Sequence, residues 1–119
     1  MQFKIGSAVR LSLKGALPRL HTIDGLVGEV IKIEGSCVII EFNKDMSIYS
    51  GISQTGCSYT CGRFHICYIK SYVVKSGKVL TILTNSLVKL DDGSICKLAN
   101  HNLKIGTAIK VTGTEYQTM

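Results

Sequence analysis

Residues 23–42 read IDGLVGEVIKIEGSCVIIEF and carry a strong signal for β structure. This stretch holds two apolar runs, residues 27–33 and 37–42, which are separated by the short segment EGS. Both runs are rich in valine and isoleucine, which favour strands, and Gly35 supplies the positive φ that a tight turn requires. The stretch therefore predicts a β-hairpin.

An eight-residue pattern occurs near both ends of the chain. Residues 4–11 read KIGSAVRL, and residues 104–111 read KIGTAIKV. Apolar and polar residues alternate in both copies, which is typical of a half-buried strand. Because Gly6 and Gly106 stand where each strand would begin, we expect the backbone to bend sharply at both glycines.

Three further segments predict strands. Residues 86–98 form a second candidate hairpin around Asp92 and Gly93, a dipeptide that favours tight turns. Residues 63–74, RFHICYIKSYVV, form a long run rich in β-branched and aromatic residues, and residues 77–83, GKVLTIL, follow it. No segment shows helical spacing over more than about two turns, so the sequence predicts an all-β protein.

The turn signals also predict how the chain is divided. The segment KSGK at residues 75–78 separates an N-terminal unit, residues 1–74, from a smaller C-terminal unit, residues 77–119, that we expect to pack on it. Residues 43–62 are expected to form a long irregular loop, and loops of that length are uncommon unless they bind a partner or are disordered.

Composition and charge indicate a folded, basic protein. The chain has 119 residues, 45% of them hydrophobic, a mean hydropathy of +0.25 and a net charge of +6. No acidic residue occurs between Met46 and Leu90, which suggests a polyanionic partner. Because no apolar run is long enough to cross a bilayer and no secretory signal is visible, we expect a soluble, cytoplasmic protein.

The first hairpin carries a family resemblance. The spacing Gly25-x-x-Gly28-x-Val30-x-x-Ile33 resembles the core of a KOW motif, which belongs to SH3-like barrels of ribosomal proteins and transcription elongation factors. Tudor-like and chromo-like domains share the pattern, and some of them bind only proteins. The resemblance implies a tightly curved five-stranded barrel, in which glycines allow strands to turn corners.

The C-terminal half has a weaker resemblance. Residues 88–113 are similar to small OB and translation-type barrels, but they carry no binding residue that can be transferred. The two copies of the octet fit two separate small barrels, one octet in each. They also fit a single composite barrel in which the two copies pair with each other.

Barrel curvature of the SH3-like kind would bring a set of distant cations to one surface. Such a surface would bind DNA or RNA through phosphates, with weak sequence specificity, because nothing resembles a helix that reads a groove. The alternative is a protein-binding adaptor or inhibitor, of the kind that phages and mobile elements encode. With either function we expect a monomer or a homodimer. The predicted phosphate-binding residues are Lys14, Arg19, His21, Arg63, Lys70, Lys75 and Lys78.

The aromatic residues of the run 63–74 allow two interpretations. One face carries Phe64, Ile66, Tyr68, Tyr72 and Val74, and because it is the more apolar face we expect it to lie in the core. The alternative is an exposed aromatic ladder beside lysines, which is how single-stranded nucleic acid is bound.

The cysteines do not favour a metal or catalytic site. Five cysteines in a chain without an export signal indicate free thiols. Cys57, Cys61, His65 and Cys67 contain the residue types that bind zinc, but their spacing lacks the two-residue gap of a zinc knuckle. No nucleophile motif or paired catalytic carboxylates occur, so we predict a non-enzymatic protein without a cofactor.

Overall fold

The computed structural model describes residues 3–13 and 15–119, and the all-β prediction is confirmed. The chain divides into two compact units, Met1–Ile69 and Lys70–Met119. This division lies a few residues before the segment 75–78 that the sequence suggested. The reason is a short strand at Ser71–Tyr72, which pairs within the sheet of the second unit.

The first unit is a five-stranded antiparallel sheet with the order β4-β3-β2-β1-β5. The predicted first hairpin is confirmed as β2 and β3, with Gly35 in the turn at a φ of +59°. Short 3-10 turns follow β1, β3 and β4, at Pro18–Ile23, Met46–Ile48 and Arg63–His65. The strands are β1 (Ala8–Leu11), β2 (Val27–Glu34), β3 (Cys37–Glu41), β4 (Ser58–Gly62) and β5 (Ile66–Tyr68).

The second unit contains a six-stranded sheet with the order β11-β10-β7-β8-β9-β6. The predicted second hairpin is confirmed as β8 and β9, with Gly93 at a φ of +88° in its turn. All pairs are antiparallel except β6 with β9. The strands are β6 (Ser71–Tyr72), β7 (Val74–Ile82), β8 (Leu87–Leu90), β9 (Ile95–Lys97), β10 (Ala108–Thr112) and β11 (Glu115–Thr118).

Each unit has its own hydrophobic core, because the inward side chains of alternating strand positions collect on one face of its sheet. The core of the first unit includes the fully buried residues Val9, Leu11, Val30 and Ile40. The second core includes Val88, Leu90, Leu98 and Ile109.

The two copies of the octet form strands β1 and β10, as predicted, and both are entered through a glycine bend. Gly6 has a φ of +92° and Gly106 a φ of +94°, values that side chains disfavour. The Gly6 N–H donates to the Val30 carbonyl over 2.7 Å, and the Gly106 N–H donates to the Val79 carbonyl over the same distance. The two bends are therefore equivalent.

The octets do not pair with each other. Strand β1 pairs with β2 and β5, whereas β10 pairs with β7 and β11, so the single composite barrel is wrong. Each octet strand is second from one end of its own sheet, with β1 beside β5 and β10 beside β11.

The similarity between the units extends well beyond the octet. Val9 pairs with Gly28, Ile109 pairs with Gly77, and an irregularity in strand register follows both Val30 and Val79. The order β4-β3-β2-β1-β5 thus recurs as β9-β8-β7-β10-β11, although the strand that holds the octet comes later in the second unit. Buried residues at matching positions are Val9 and Ile109, Leu11 and Val111, Val38 and Val88, Ile40 and Leu90, and Cys61 and Cys96.

Two sequence predictions about extended segments are wrong. Residues 63–74 do not form one strand, because the chain completes the first sheet at Tyr68 and joins the second sheet at Ser71. Residues 43–62 are not irregular throughout, because Ser58–Gly62 form β4 and pair along the whole of β3. Tyr59 and Cys61 are buried, and their neighbours Ser58, Thr60 and Gly62 are exposed or half-buried. This alternation of inward and outward residues is typical of a strand and is visible in the sequence SYTCG.

The aromatic face of residues 63–74 is not a core face. Ile66 is buried, but Phe64 is 82% exposed and Tyr72 is 37% exposed. Tyr68 and Val74 are also exposed. Because the segment is broken into a turn and separate strands, its alternate residues do not share one face.

Candidate nucleic-acid interface

The second unit gathers two lysines around one tyrosine. The Lys70 Nζ lies 5.2 Å from the centre of the Tyr72 ring, and the Lys75 Nζ lies 5.1 Å from it. Both distances fall within the range of cation–π attraction. We call Lys70, Tyr72, Lys75 and the neighbouring Asp92 the Tyr72 cluster.

Local structure explains how the Tyr72 cluster forms. Tyr72 lies on β6, which is an edge strand of its sheet and leaves the ring partly exposed. Lys70 lies two residues before it, just outside the strand, and Lys75 lies near the start of β7. The chain bends at Val73, between the two-residue β6 and the nine-residue β7, so residues close in sequence meet around the ring.

Asp92 neutralises part of this charge. Its carboxylate lies 2.8 Å from the Lys75 Nζ, and it also accepts hydrogen bonds from the backbone N–H and the hydroxyl of Ser94. The Lys75 ammonium and the Ser94 donors hold the pKa of Asp92 well below its usual range, and the pKa of Lys75 is raised in return. Lys70 forms no salt bridge with any described residue, so it is the cation of the cluster that has no acidic partner.

Lys78 does not join the Tyr72 cluster through β7. Lys75 and Lys78 both lie on β7, where side chains alternate between the two faces of the sheet. Their positions differ by three, so the two side chains point to opposite faces. The backbone N–H of Lys78 instead donates to the Asp91 carboxylate over 3.3 Å.

The cations of the first unit lie on two different turns. Arg19 and His21 belong to the 3-10 turn Pro18–Ile23, where a ring nitrogen of His21 lies 3.3 Å from the Ala16 carbonyl oxygen. The Arg19 backbone packs against Gly51 so closely that a Cβ at Gly51 would stand 2.6 Å from the Arg19 oxygen. Lys14, which the sequence placed with them, lies outside the described residues.

Arg63 begins the 3-10 turn between β4 and β5. Its backbone N–H donates to the Ser36 carbonyl over 3.0 Å, so it lies beside the β2–β3 turn. The next residue, Phe64, folds its ring over Gly62 and contacts the His65 ring at a tilt of 49°, with 4.2 Å between ring centroids. Arg63 and Phe64 are both exposed, and they form an aromatic and basic pair on the first unit.

The cysteines are all free thiols. Within residues 3–13 and 15–119, no group of three or more His, Cys, Asp or Glu side chains is arranged to hold a metal ion. Cys61 is buried, and burial raises its pKa to about 12. Cys57 is exposed and Cys67 half-buried, so Cys57, Cys61 and Cys67 occupy three different environments.

Sequence reasoning missed two members of the Tyr72 cluster. The sequence predicts a core position for Tyr72, because one continuous strand would place it on the same face as Phe64 and Tyr68. The segment KSYVVK at residues 70–75, in which a tyrosine stands between two lysines, was the available signal. Asp92 was interpreted only as a turn residue, since nothing local in the sequence connects it with Lys75.

Comparison with protein families, curated proteins and solved structures gave no match to this chain. No helix within the described residues is long and apolar enough to cross a membrane. A proposal about function therefore depends on the geometry of the Tyr72 cluster and on the charge of the chain.

Proposed function

We propose that this protein is a non-enzymatic, cytoplasmic nucleic-acid-binding protein that contacts phosphates, with the Tyr72 cluster at the centre of its interface. The single observation that carries the proposal is the pair of lysine ammoniums within 5.2 Å of one partly exposed tyrosine ring. A base that stacks on Tyr72 takes the place of a lysine over the ring, and the displaced ammonium can then contact the flanking phosphate. Stacking and phosphate contact are the two interactions by which single strands are bound.

The charge distribution supports the same proposal. No acidic residue lies between Met46 and Leu90, and the chain has a net charge of +6. Asp92, the acidic member of the Tyr72 cluster, forms an ion pair with Lys75 and therefore competes with phosphate for Lys75. Binding is therefore expected to be moderate in affinity and sensitive to salt.

The architecture of the first unit supports an SH3-like barrel of the KOW or Tudor-like type. Five antiparallel strands follow the order β4-β3-β2-β1-β5, and a 3-10 turn joins β4 to β5. Gly28 of the KOW-like spacing is sterically required, because a Cβ there would stand 2.6 Å from the Glu41 carbonyl oxygen. Arg19, His21 and Arg63 are the exposed candidates for phosphate contact on this unit.

Fluorescence anisotropy with labelled oligonucleotides tests the proposal. Single-stranded DNA, single-stranded RNA and a duplex of the same sequence are titrated with the protein at rising salt. The logarithm of the association constant should fall linearly with the logarithm of the salt concentration, by about 0.7 per phosphate contact for a single strand. Absence of binding to all three probes at the lowest salt contradicts the proposal.

A protein-binding module is the second candidate, and a repeated apolar pair favours it. Ile5 and Ile31 flank the hydrogen bond from Gly6 to Val30, and Ile105 and Leu80 flank the equivalent bond in the second unit. All four side chains are exposed, with 69% for Ile5 and 68% for Ile105. Exposed apolar groups at matching places are typical of surfaces that contact proteins.

Pull-down from a lysate, with and without nuclease, separates the two candidates. A partner retained after nuclease treatment and lost from an Ile5→Ser, Ile105→Ser variant favours the adaptor or inhibitor function. A partner lost on nuclease treatment favours nucleic-acid binding.

A further inference from the structure

Strand β4 is one of the two outer strands of the first sheet, and the edge that faces away from β3 has a defined set of backbone groups. The Phe42 N–H donates to the Cys57 carbonyl, and the Arg63 N–H donates to the Ser36 carbonyl. Together with the β3–β4 register, these two bonds determine which residues of β4 point their backbone N–H and C=O groups toward β3. Tyr59 and Cys61 direct their backbone groups toward β3. The backbone groups of the alternate residues Ser58, Thr60 and Gly62 therefore point away from the sheet.

The central position of this edge is occupied by a side chain. The Gln54 Nε2 donates to the Thr60 carbonyl over 3.1 Å, and the Gln54 Oε1 accepts from the Thr60 N–H over 2.7 Å. A residue of an adjoining antiparallel strand would make this same pair of bonds. The side-chain amide of Gln54 thus takes the place of a neighbouring strand.

The segment around Gln54 is held in position on both sides. The Asp45 carboxylate accepts from the backbone N–H groups of Ser47 and Gly56, and Met46 N–H donates to the Gly56 carbonyl over 2.8 Å. Met46 is fully buried. These contacts close the segment from Asp45 to Gly56 and present the Gln54 amide to the strand edge.

The edge itself lacks the features that usually prevent strands from pairing. β4 reads SYTCG, without a charged residue or a proline, and its pairing with β3 shows no irregularity. Natural proteins protect exposed edges with charges, prolines or bulges. Thr60 is exposed, so removal of the Gln54 amide would leave an uncharged, regular edge open to solvent.

We propose that the β4 edge is a dimerisation edge, which a second copy of this chain can occupy and which Gln54 closes in the free protein. Two β4 strands pair antiparallel about a two-fold axis at Thr60, so that Thr60 of each copy makes the two bonds now made by Gln54. Ser58 of one copy then lies opposite Gly62 of the other. No like charges meet across this pairing, because neither strand carries any.

Sedimentation velocity under reducing conditions tests the proposal on the full chain. Gln54→Ala should self-associate at least about tenfold more tightly than the wild-type protein, since two hydrogen bonds that compete with the partner strand are removed. Thr55→Ala, an exposed substitution in the same segment, is the matched control and should behave like the wild-type protein.

A second substitution shows whether the self-association uses the β4 edge. Thr60→Pro removes the outward N–H of Thr60 and leaves the bonds to β3 intact, as proline does on edge strands. Gln54→Ala combined with Thr60→Pro should return to the monomer. Self-association that persists in this double variant, or a folded Gln54→Ala protein that remains as monomeric as the control, overturns the proposal.

Circular dichroism establishes that each variant is folded. If Gln54→Ala loses its β signal, Gln54→Met replaces it, because methionine keeps the length of the side chain, carries no charge and makes neither hydrogen bond with the Thr60 backbone. A folded Gln54→Met protein should self-associate more than the wild-type protein, and failure to do so also overturns the proposal.

Discussion

Lys75 and Asp92 form an ion pair, with 2.8 Å between the Lys75 Nζ and the Asp92 Oδ2. The same Lys75 Nζ lies 5.1 Å from the centre of the Tyr72 ring. Any anion that binds at the Tyr72 cluster therefore competes with Asp92 for Lys75. In the proposed nucleic-acid interface, this competition would make the strength of binding depend on a residue that need not touch the nucleic acid.

Asp92→Asn should strengthen nucleic-acid binding by roughly three- to tenfold at low salt, because Lys75 loses its internal anion. Fluorescence anisotropy with a single-stranded oligonucleotide measures the change. Glu34→Gln is the matched control, since it also removes one acid from an ion pair, that of Lys32 and Glu34 at 2.8 Å. Equal gains in both variants would mean that net charge alone determines affinity.

Tyr72→Ala should weaken binding to single strands by about 1–3 kcal/mol, the usual contribution of one stacked base. Tyr72→Phe should retain most of the affinity, because the ring face is kept. Tyr68→Ala changes an exposed tyrosine of the first unit and is expected to have little effect. Loss of binding in Tyr72→Phe as large as in Tyr72→Ala would show that the hydroxyl, not the ring, is used.

Gly28→Ala should destabilise the protein by about 1–3 kcal/mol, because the added Cβ would overlap packed atoms that cannot easily move. The nearest of these are the Glu41 carbonyl oxygen and the Ile40 Cγ2, both 2.6 Å away. Gly15→Ala is the control, since no atom lies within 4 Å of a Cβ at that position. Chemical denaturation followed by circular dichroism measures both, and equal stability of the two variants contradicts the packing described for β2.

The thiols should react in the order of their exposure. Iodoacetamide near pH 8 should modify Cys57 quickly and Cys61 only after unfolding, because Cys61 is buried and its pKa is raised to about 12. Peptide mass spectrometry identifies the modified residue. Native Cys61 reacting as fast as Cys57 would be inconsistent with the core of the first unit.

The raised pKa of Cys61 also has a consequence for stability. The Cys61 thiol ionises at a lower pH in the unfolded chain than in the folded protein. The stability that the buried, neutral thiol contributes is therefore fully present below the unfolded pKa and is lost as pH rises toward 12. The free energy of unfolding should therefore fall between about pH 9 and pH 12. Cys61→Ala should show a smaller decrease over that range, and an unchanged slope would contradict the burial of this thiol.

The local parts of the fold could be predicted from the sequence. Both hairpins and both glycine bends follow from alternation and from turn residues close together in the chain. Strand β4 was missed because SYTCG contains few strongly apolar residues, although Tyr59 and Cys61 fill the core. The break at residues 69–70 was missed because it arises from a change of sheet, which is a tertiary event that local pattern does not record.

The candidate site was only partly predictable for the same reason. The prediction that barrel curvature gathers seven distant cations includes Lys70 and Lys75, which lie around Tyr72 because they are close in sequence. It also includes Lys78, which strand alternation places on the opposite face of β7. Asp92 approaches Lys75 because the β8–β9 turn lies beside the start of β7. The repeat beyond the octet was also hidden, because the matching strands occur in a different chain order in the two units.

One charge-reversal comparison tests the central claim most directly. Lys70→Glu combined with Lys75→Glu is compared with Lys104→Glu combined with Lys110→Glu, which changes two exposed lysines elsewhere in the second unit by the same total charge. Anisotropy at low salt should show a loss of roughly a hundredfold for the first pair and only a severalfold loss for the second. Equal losses in both variants, or unchanged binding after reversal at Lys70 and Lys75, would contradict an interface centred on Tyr72.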